Sequence, residues 1–256
     1  GGATAARAAP CVGDDCVFER RRTFERCDKK LVVDQEFATA KQRSTGAGVW
    51  ECGEVLSAYL EQTPATCRGK RVLELGAGCG LVAMTASLCG AATVAATDGD
   101  ENSLRHLEEV LDANAAALPR RPDVPPPLRW EAATASSAKA LGAPFDVVLG
   151  ADVTYNPANA EALANALVAH TNRGSVVLLA HKRRQPADDA TLDTLRAYFR
   201  VDQLAADGAI STLGLTKLDD KLADLDLEAA AASNCNPGFV RKNGACLVAD
   251  RRVVVG

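Results

Sequence analysis

The chain has 256 residues, with 29 Lys and Arg against 33 Asp and Glu, for a formal charge of −4. That balance argues against a general phosphate-binding surface, and no apolar run reaches the roughly 18 residues of a membrane helix. The length suits one large domain or one plus an appendage, and 47 % hydrophobic residues are enough to bury a core without staples.

Residues 1–15 read as a disordered, Ala-rich lead. A folded domain is expected over 16–218, with its core at 45–218, and an extension of its own character over 219–256. The runs VFERRRTFE and KKLVVDQ, between Cys16 and Val33 and just beyond, predict a hairpin with basic residues on one face. STGAG (Ser44–Gly48) is a glycine loop. ECGEVLSAYLEQ (Glu51–Gln62) carries an apolar stripe of Val55, Leu56, Tyr59 and Leu60, and Pro64 ends the helix it predicts.

The next stretch alternates strands and helices. RVLEL (Arg71–Leu75) is a buried strand, GAGCG (Gly76–Gly80) a turn and Leu81–Leu88 a helix stopped by Gly90. TVAAT (Thr93–Thr97) is a strand ending at Asp98, and Ser103–Ala116 a helix. A proline-rich loop, Arg120–Pro127, leads to an expected third strand at Leu128–Glu131. FDVVLG (Phe145–Gly150) is a fourth strand, Ala158–His170 a helix, SVVLLAH (Ser175–His181) a strand and Ala187–Phe199 a helix. Two more strands are expected near Arg200–Leu204 and Ile210–Leu218. This order indicates an α/β fold of βαβ units, with a mostly parallel sheet covered by helices on both faces. Lys221–Ala232 is a candidate helix, and CNPGFVRKNGAC resembles half of a cysteine-rich repeat on a loosely attached tail.

Nine cysteines form no even framework. Cys27, Cys52, Cys67, Cys79 and Cys89 fall on or beside apolar stretches, and Cys235 and Cys246 bracket a Pro-Gly turn. No CxxC pair has a distant partner, so no metal site is expected, and the thiols read as reduced ones of an intracellular chain. The first residues carry no continuous apolar signal-peptide core.

Three places carry chemistry. Glu74-Leu75-Gly76-Ala77-Gly78-Cys79-Gly80 leaves a strand and enters a helix, where glycines let a ligand lie against main-chain N–H groups. The Glu74 carboxylate either orients the loop or meets an ammonium group of the ligand. Its GxGxG spacing is not the GxGxxG of dinucleotide folds, which disfavours a dehydrogenase. Asp98, about 20 residues on at the end of the next strand, is placed to accept both hydroxyls of a ribose. The alternative is a helix N-cap, a role that Asp100 also suits. Ala151-Asp152-Val153-Thr154-Tyr155 follows the fourth strand, where ligands of open α/β sheets lie. There Asp152 and Tyr155 either serve a ligand or cap and pack a helix.

Trp50 before the helix LSAYL, then RVLELGAGCGL, TD, LRW, FDVVLGADVTY and VVLLAHKRR, resemble in order the methyltransferase-like 21 group of protein lysine methyltransferases, over about residues 30–218. The resemblance implies the seven-strand, Rossmann-like class I fold with an N-terminal hairpin extension. It also implies S-adenosyl-L-methionine as cofactor and S-adenosyl-L-homocysteine as product. Gly76, Ala77 and Gly78 would cradle the amino-acid end of the cofactor, and Asp98 would hold its ribose. Trp130 would lie beside the adenine, Trp50 near the methionine portion, and Ala151 would touch the cofactor through its backbone. Asp152 and Tyr155 match the family's DxxY pair at the entry of the target nitrogen.

Two departures stand out: Cys79 replaces a more usual Thr or Ser, and no glycine follows Trp130. The implied setting is a monomer acting on a protein client, a chaperone or translation factor, in the cytoplasm or alternatively the nucleus, with no nucleic acid or membrane partner. Arg20–Arg22 and His181–Arg184 read either as docking charges for an acidic client or as solvated runs. The competing functions are methylation of another side chain or a small molecule, and a catalytically silent cofactor-binding partner protein. A nucleic-acid methyltransferase is disfavoured by the missing NPPY-type motif and the acidic charge. Aromatic residues make up only 4 % of the chain, yet both tryptophans and one of three tyrosines fall in these motifs.

Overall fold

Strands buried on both faces need nearly continuous apolar sequence, and the centre of this chain supplies it. In the computed structural model, which describes residues 21–35, 45–185 and 188–218 and the strands at 239–242 and 245–248, those runs form one sheet. After a hairpin of β1 (Arg21–Arg26) and β2 (Lys29–Asp34) come α1 (Glu51–Gln62), β3 (Arg71–Leu75), α2 (Leu81–Leu88), β4 (Thr93–Thr97) and α3 (Glu101–Asn114). Then follow α4 (Ala135–Leu141), β5 (Val147–Ala151), α5 (Ala160–His170), β6 (Val176–Lys182), α6 (Asp189–Leu195), β7 (Phe199–Asp207) and β8 (Ile210–Lys217). The sheet order is β4-β3-β5-β6-β8-β7. The first four strands in that order run parallel, and β8 pairs antiparallel with both β6 and β7.

Side chains alternate across the sheet with the period of two that strands impose. Val72, Val147, Leu149, Leu178 and Ala180 face a core under α1, α2 and α3. Leu73, Leu75, Val148, Val177 and Leu179 face a second core under α5 and α6. Each fully buried Leu contributes about 1.5–3 kcal/mol of transfer free energy, so both layers hold the sheet strongly. As expected from its sequence, α3 starts at an Asp100 cap, which accepts the Ser103 N–H at 2.9 Å.

The hairpin turns at Cys27 and Asp28, both at positive φ, as two-residue hairpin turns require. Its basic residues do not share one face. Arg21 points to solvent and forks onto Asp34, whereas Arg22 is buried, over the Phe24 ring and bonded to Glu54 at 2.6 Å. Alternation puts neighbouring Arg21 and Arg22 on opposite faces; Arg20 lies outside the described residues. The hairpin also grips the segment before α1. Val49 donates to Gln35 Oε1 at 2.7 Å and accepts from Arg22 Nη1 at 2.9 Å.

The expected third strand at Leu128–Glu131 does not form. Trp130–Ala132 is a 3-10 turn, and the position beside β4 is held by a parallel bridge between Ala95 and Asp123 and one bond from Leu128 N–H to the Asp98 carbonyl at 2.9 Å. Pro122, Pro125, Pro126 and Pro127 deprive that edge of N–H donors, so a ladder cannot extend. Among the described residues the central sheet therefore has six strands. The short α4 was not expected from the sequence. The helix forecast over Ala187–Phe199 is shorter, and β7 begins at Phe199. In the C-terminal extension β9 (Phe239–Lys242) and β10 (Ala245–Val248) pair antiparallel. The forecast lead at 1–15, the helix at Lys221–Ala232 and Cys235 lie outside the described residues.

Candidate active site

Sheet order reverses beside β3: the chain leaves it through α2 toward β4 and later returns on its other side as β5. In open α/β sheets such a switch point opens a crevice at the carboxyl ends of the strands. The glycine turn of Gly76–Gly80 sits at that place. Gly76 and Gly78 have φ of 69° and 49°, a region that side-chain-bearing residues rarely occupy. A Cβ on Gly76 would stand 3.0 Å from Val153 Cγ1, and one on Gly78 would stand 3.2 Å from the Gly46 carbonyl oxygen.

The turn is tied to the end of β4. Ala77 N–H donates to the Thr97 carbonyl at 2.8 Å, and Thr97 Oγ1 donates to the Glu74 carbonyl at 2.6 Å. Asp98 accepts the Gly78 N–H on one oxygen at 3.2 Å and the Asp100 N–H on the other at 3.1 Å. Burial pushes the Asp98 carboxyl up, and those N–H groups pull the other way. Cys79 directs its thiol to the Gly46 carbonyl at 3.4 Å, so it serves the turn as a weak hydroxyl substitute.

Glu74 is 2 % exposed, and its Oε2 has no hydrogen-bond partner. Burial pushes its carboxyl up to about 8, against a bond from the Ala83 N–H in the first turn of α2. It thus ties the turn to α2, one of the two roles weighed from sequence, and the residue lines the cavity.

The other side of the crevice is built from side chains. Ala151 ends β5 in register with Ala180, and Asp152 turns away at φ 56°. Trp50 precedes α1 and Tyr155 follows β5; they are 37 % and 43 % exposed. Trp130 lies 3.6 Å from where a Gly76 Cβ would be. Trp50, Glu74, Gly76, Ala77, Gly78, Asp98, Trp130, Ala151, Asp152 and Tyr155 all line one cavity of about 630 Å³.

Sequence reasoning missed Arg184. Its guanidinium donates to both Asp152 oxygens, at 2.9 and 2.6 Å, and it lines the same cavity. The cations of the charged run around it are paired with carboxylates of other elements. His181 is buried, shares a 2.7 Å hydrogen bond with Thr154, and is pushed down by burial toward its neutral form. Lys182 pairs with Glu51, and Arg183 pairs with Asp189 at 2.8 Å. The available signal was positional, a basic residue just beyond the carboxyl end of a central strand, where Asp98 and Asp152 also lie. Among the described residues no group of three or more His, Cys, Asp or Glu is arranged to hold a metal ion.

The profile of a family described as lysine methyltransferase matches residues 28–197. The chain is 32 % identical over 185 residues to the mouse (Mus musculus) protein N-lysine methyltransferase METTL21A, covering 72 % of this chain and 81 % of that protein. It is 34 % identical over 117 residues to the protein-lysine N-methyltransferase EFM3 of Chaetomium thermophilum, covering 44 % of this chain and 34 % of that one. Among solved structures, the Thermus thermophilus 16S rRNA N2 G1207 methyltransferase RsmC, in complex with AdoMet and guanosine, matches with a TM-score of 0.54 at 20 % identity. That alignment covers 78 % of this chain and 50 % of the other, and it speaks for the fold alone. With its profile matched over most of the sequence and the glycine turn, Asp98, Asp152 and Tyr155 gathered in one crevice, the chain belongs to the lysine methyltransferase family.

Proposed function

We propose that this crevice is where the protein, an S-adenosylmethionine-dependent methyltransferase of protein lysines, brings cofactor and target nitrogen together. The observation that carries the reading is the convergence of ten residues from separate stretches on one cavity at the switch point of the sheet. The residues present fit the cofactor. What supports the fit is a glycine turn too tight to admit a Cβ, the unsatisfied buried oxygen of Glu74, and the Asp98 carboxylate lining the same cavity. In this assignment Gly76, Ala77, Gly78 and Glu74 hold the amino-acid end and Asp98 the ribose. Trp130 flanks the adenine, and Trp50 and the Ala151 backbone border the methionine portion.

When bound, the cofactor would supply a methyl group on a sulfonium to the neutral lysine nitrogen, with S-adenosyl-L-homocysteine as the other product. With so good a leaving group, the protein's task is to position and desolvate the nucleophile. Asp152 accepts hydrogen bonds from the arriving nitrogen, while Tyr155 and Trp50 wall the channel. The proton leaves through water, and neither Asp152 nor Tyr155 need be an obligate general base.

The proposed client is a chaperone or a translation factor, and the proposed setting is a cytoplasmic monomer without nucleic acid or membrane partners. Cys27, Cys52, Cys67, Cys79 and Cys89 are thiols outside any disulfide, in keeping with a reducing compartment. No helix among the described residues is long and apolar enough to cross a membrane. Incubating the protein with methyl-labelled cofactor and a cell extract should label a small number of bands at lysine. Label on nucleic acid or small molecules instead would sink the client assignment. Calorimetric titration with the cofactor and its demethylated product should give saturable binding; its absence would favour a silent partner protein.

A further inference from the structure

Asp152, the carboxylate assigned to the target nitrogen, does not stand alone. The Arg184 fork covers both of its oxygens, at 2.9 and 2.6 Å. Both partners are fixed from outside the pair. Asp152 keeps a left-handed φ of 56°, and its side chain is 9 % exposed. The Arg184 and Gln185 backbone N–H groups both donate to Asp188 Oδ2, at 2.7 and 3.0 Å. Asp188 is therefore engaged by the backbone of the Arg184 segment, while the guanidinium reaches Asp152.

This pairing has a chemical consequence. The acceptor nitrogen must be a neutral amine when it attacks. A bare carboxylate beside it favours the ammonium form instead, by about 1–3 pH units when close. A carboxylate already matched by a guanidinium has little net charge to offer, yet its oxygens keep lone pairs that accept an N–H. We propose that Arg184 is a positioning residue for methyl transfer: it neutralises Asp152, so that Asp152 orients the target lysine nitrogen without holding it protonated. The inference rests on the reading that this nitrogen enters beside Asp152.

The other groups facing the pair do not do this work. From α1, Cys52 has its thiol pushed far up by burial and stays uncharged. From β6, His181 is pushed down by burial. At the start of α6, Asp188 is bonded to backbone N–H groups and Asp189 to Arg183. The segment after β5 contributes the Tyr155 phenol.

The test is a pH–rate profile on the extract protein that the enzyme labels most strongly from methyl-labelled S-adenosylmethionine. It is run for the wild type, Arg184→Gln, Arg184→Lys and the Asp152→Asn/Arg184→Gln double variant. Arg184→Gln should move the rising limb about one unit alkaline and cut the rate at neutral pH roughly tenfold. It should also lower KM for the labelled protein and leave S-adenosylhomocysteine affinity, read by calorimetry, unchanged. Arg184→Lys should keep the wild-type limb, and the double variant should return toward it. A uniform loss of rate at every pH with the limb unmoved, or no change at all, overturns the inference while leaving the site assignment standing. Asp152→Ala, run alongside, methylating the same protein at the wild-type rate overturns the site assignment, and this inference with it.

Discussion

The two walls of the crevice are made by different means. On the proposed cofactor side, from Glu74 through Asp98, the groups offered to a ligand are the backbone of a short glycine turn and the two carboxylates that flank it, held together by bonds to Thr97 and Asp98 within a span of 25 residues. On the target side they are side chains from distant stretches: Trp50 before α1, Asp152 and Tyr155 after β5, Arg184 after β6. Backbone geometry tolerates little substitution, so the first wall suits the proposed role of serving one ligand. Side chains can be exchanged without refolding the turn, so under the same proposal the second wall is the one open to change.

If that division is right, substitutions should separate into two kinds. Gly78→Val asks a branched side chain to sit at φ 49° against the Gly46 carbonyl. It should weaken S-adenosylhomocysteine binding roughly a hundredfold or more, as measured by calorimetry. Asp98→Ala strips the acceptor from the Gly78 and Asp100 N–H groups as well as the ribose partner. A loss of about 2–3 kcal/mol in cofactor binding, or roughly 30- to 150-fold, is expected.

Glu74→Gln should split stability from binding. The folded value of Glu74 is about 8 and its ordinary value 4.5, so between those pH values the folded state holds more protons. Stability then falls as pH rises through that window, by on the order of a few kcal/mol in the cofactor-free protein. Glutamine should remove that slope and raise Tm at pH 8–9, while weakening cofactor binding; a variant that melts with the wild-type pH slope contradicts the assignment. Arg105→Ala breaks a pair with Glu109 exposed on α3, far from either wall, and should shift stability by less than about 0.5 kcal/mol with both binding and rate unchanged.

The same contrast explains what the sequence disclosed. RVLEL, GAGCG, TVAAT and Asp98 are contiguous, and their chemistry is local, so strand, turn and carboxylate could be read in order. Trp50, Trp130 and Tyr155 also line the cavity, as the scarcity of aromatic residues suggested, while Phe145 and Phe199 fill the core. The failures arise where a local pattern depends on distant partners. LRW alternates like a strand, but the prolines before it leave no ladder, just the Ala95–Asp123 bridge and the Leu128–Asp98 bond. Helix α4 has a single fully buried side chain, Ala138, and rests on the reciprocal Thr134–Ser137 capping bonds rather than on apolar periodicity. HKRR looked like surface charge because Glu51, Asp189 and Asp152, which meet its cations, lie on other elements. Arg22 beside Glu54 repeats the lesson in the hairpin.

The most direct test of separate walls is Asp152→Ala, assayed in parallel for S-adenosylhomocysteine affinity and for methylation of the client band. The account predicts unchanged affinity with methylation reduced at least a hundredfold, roughly the scale of losing a key positioning contact. Full methylation at unchanged cofactor binding would contradict it.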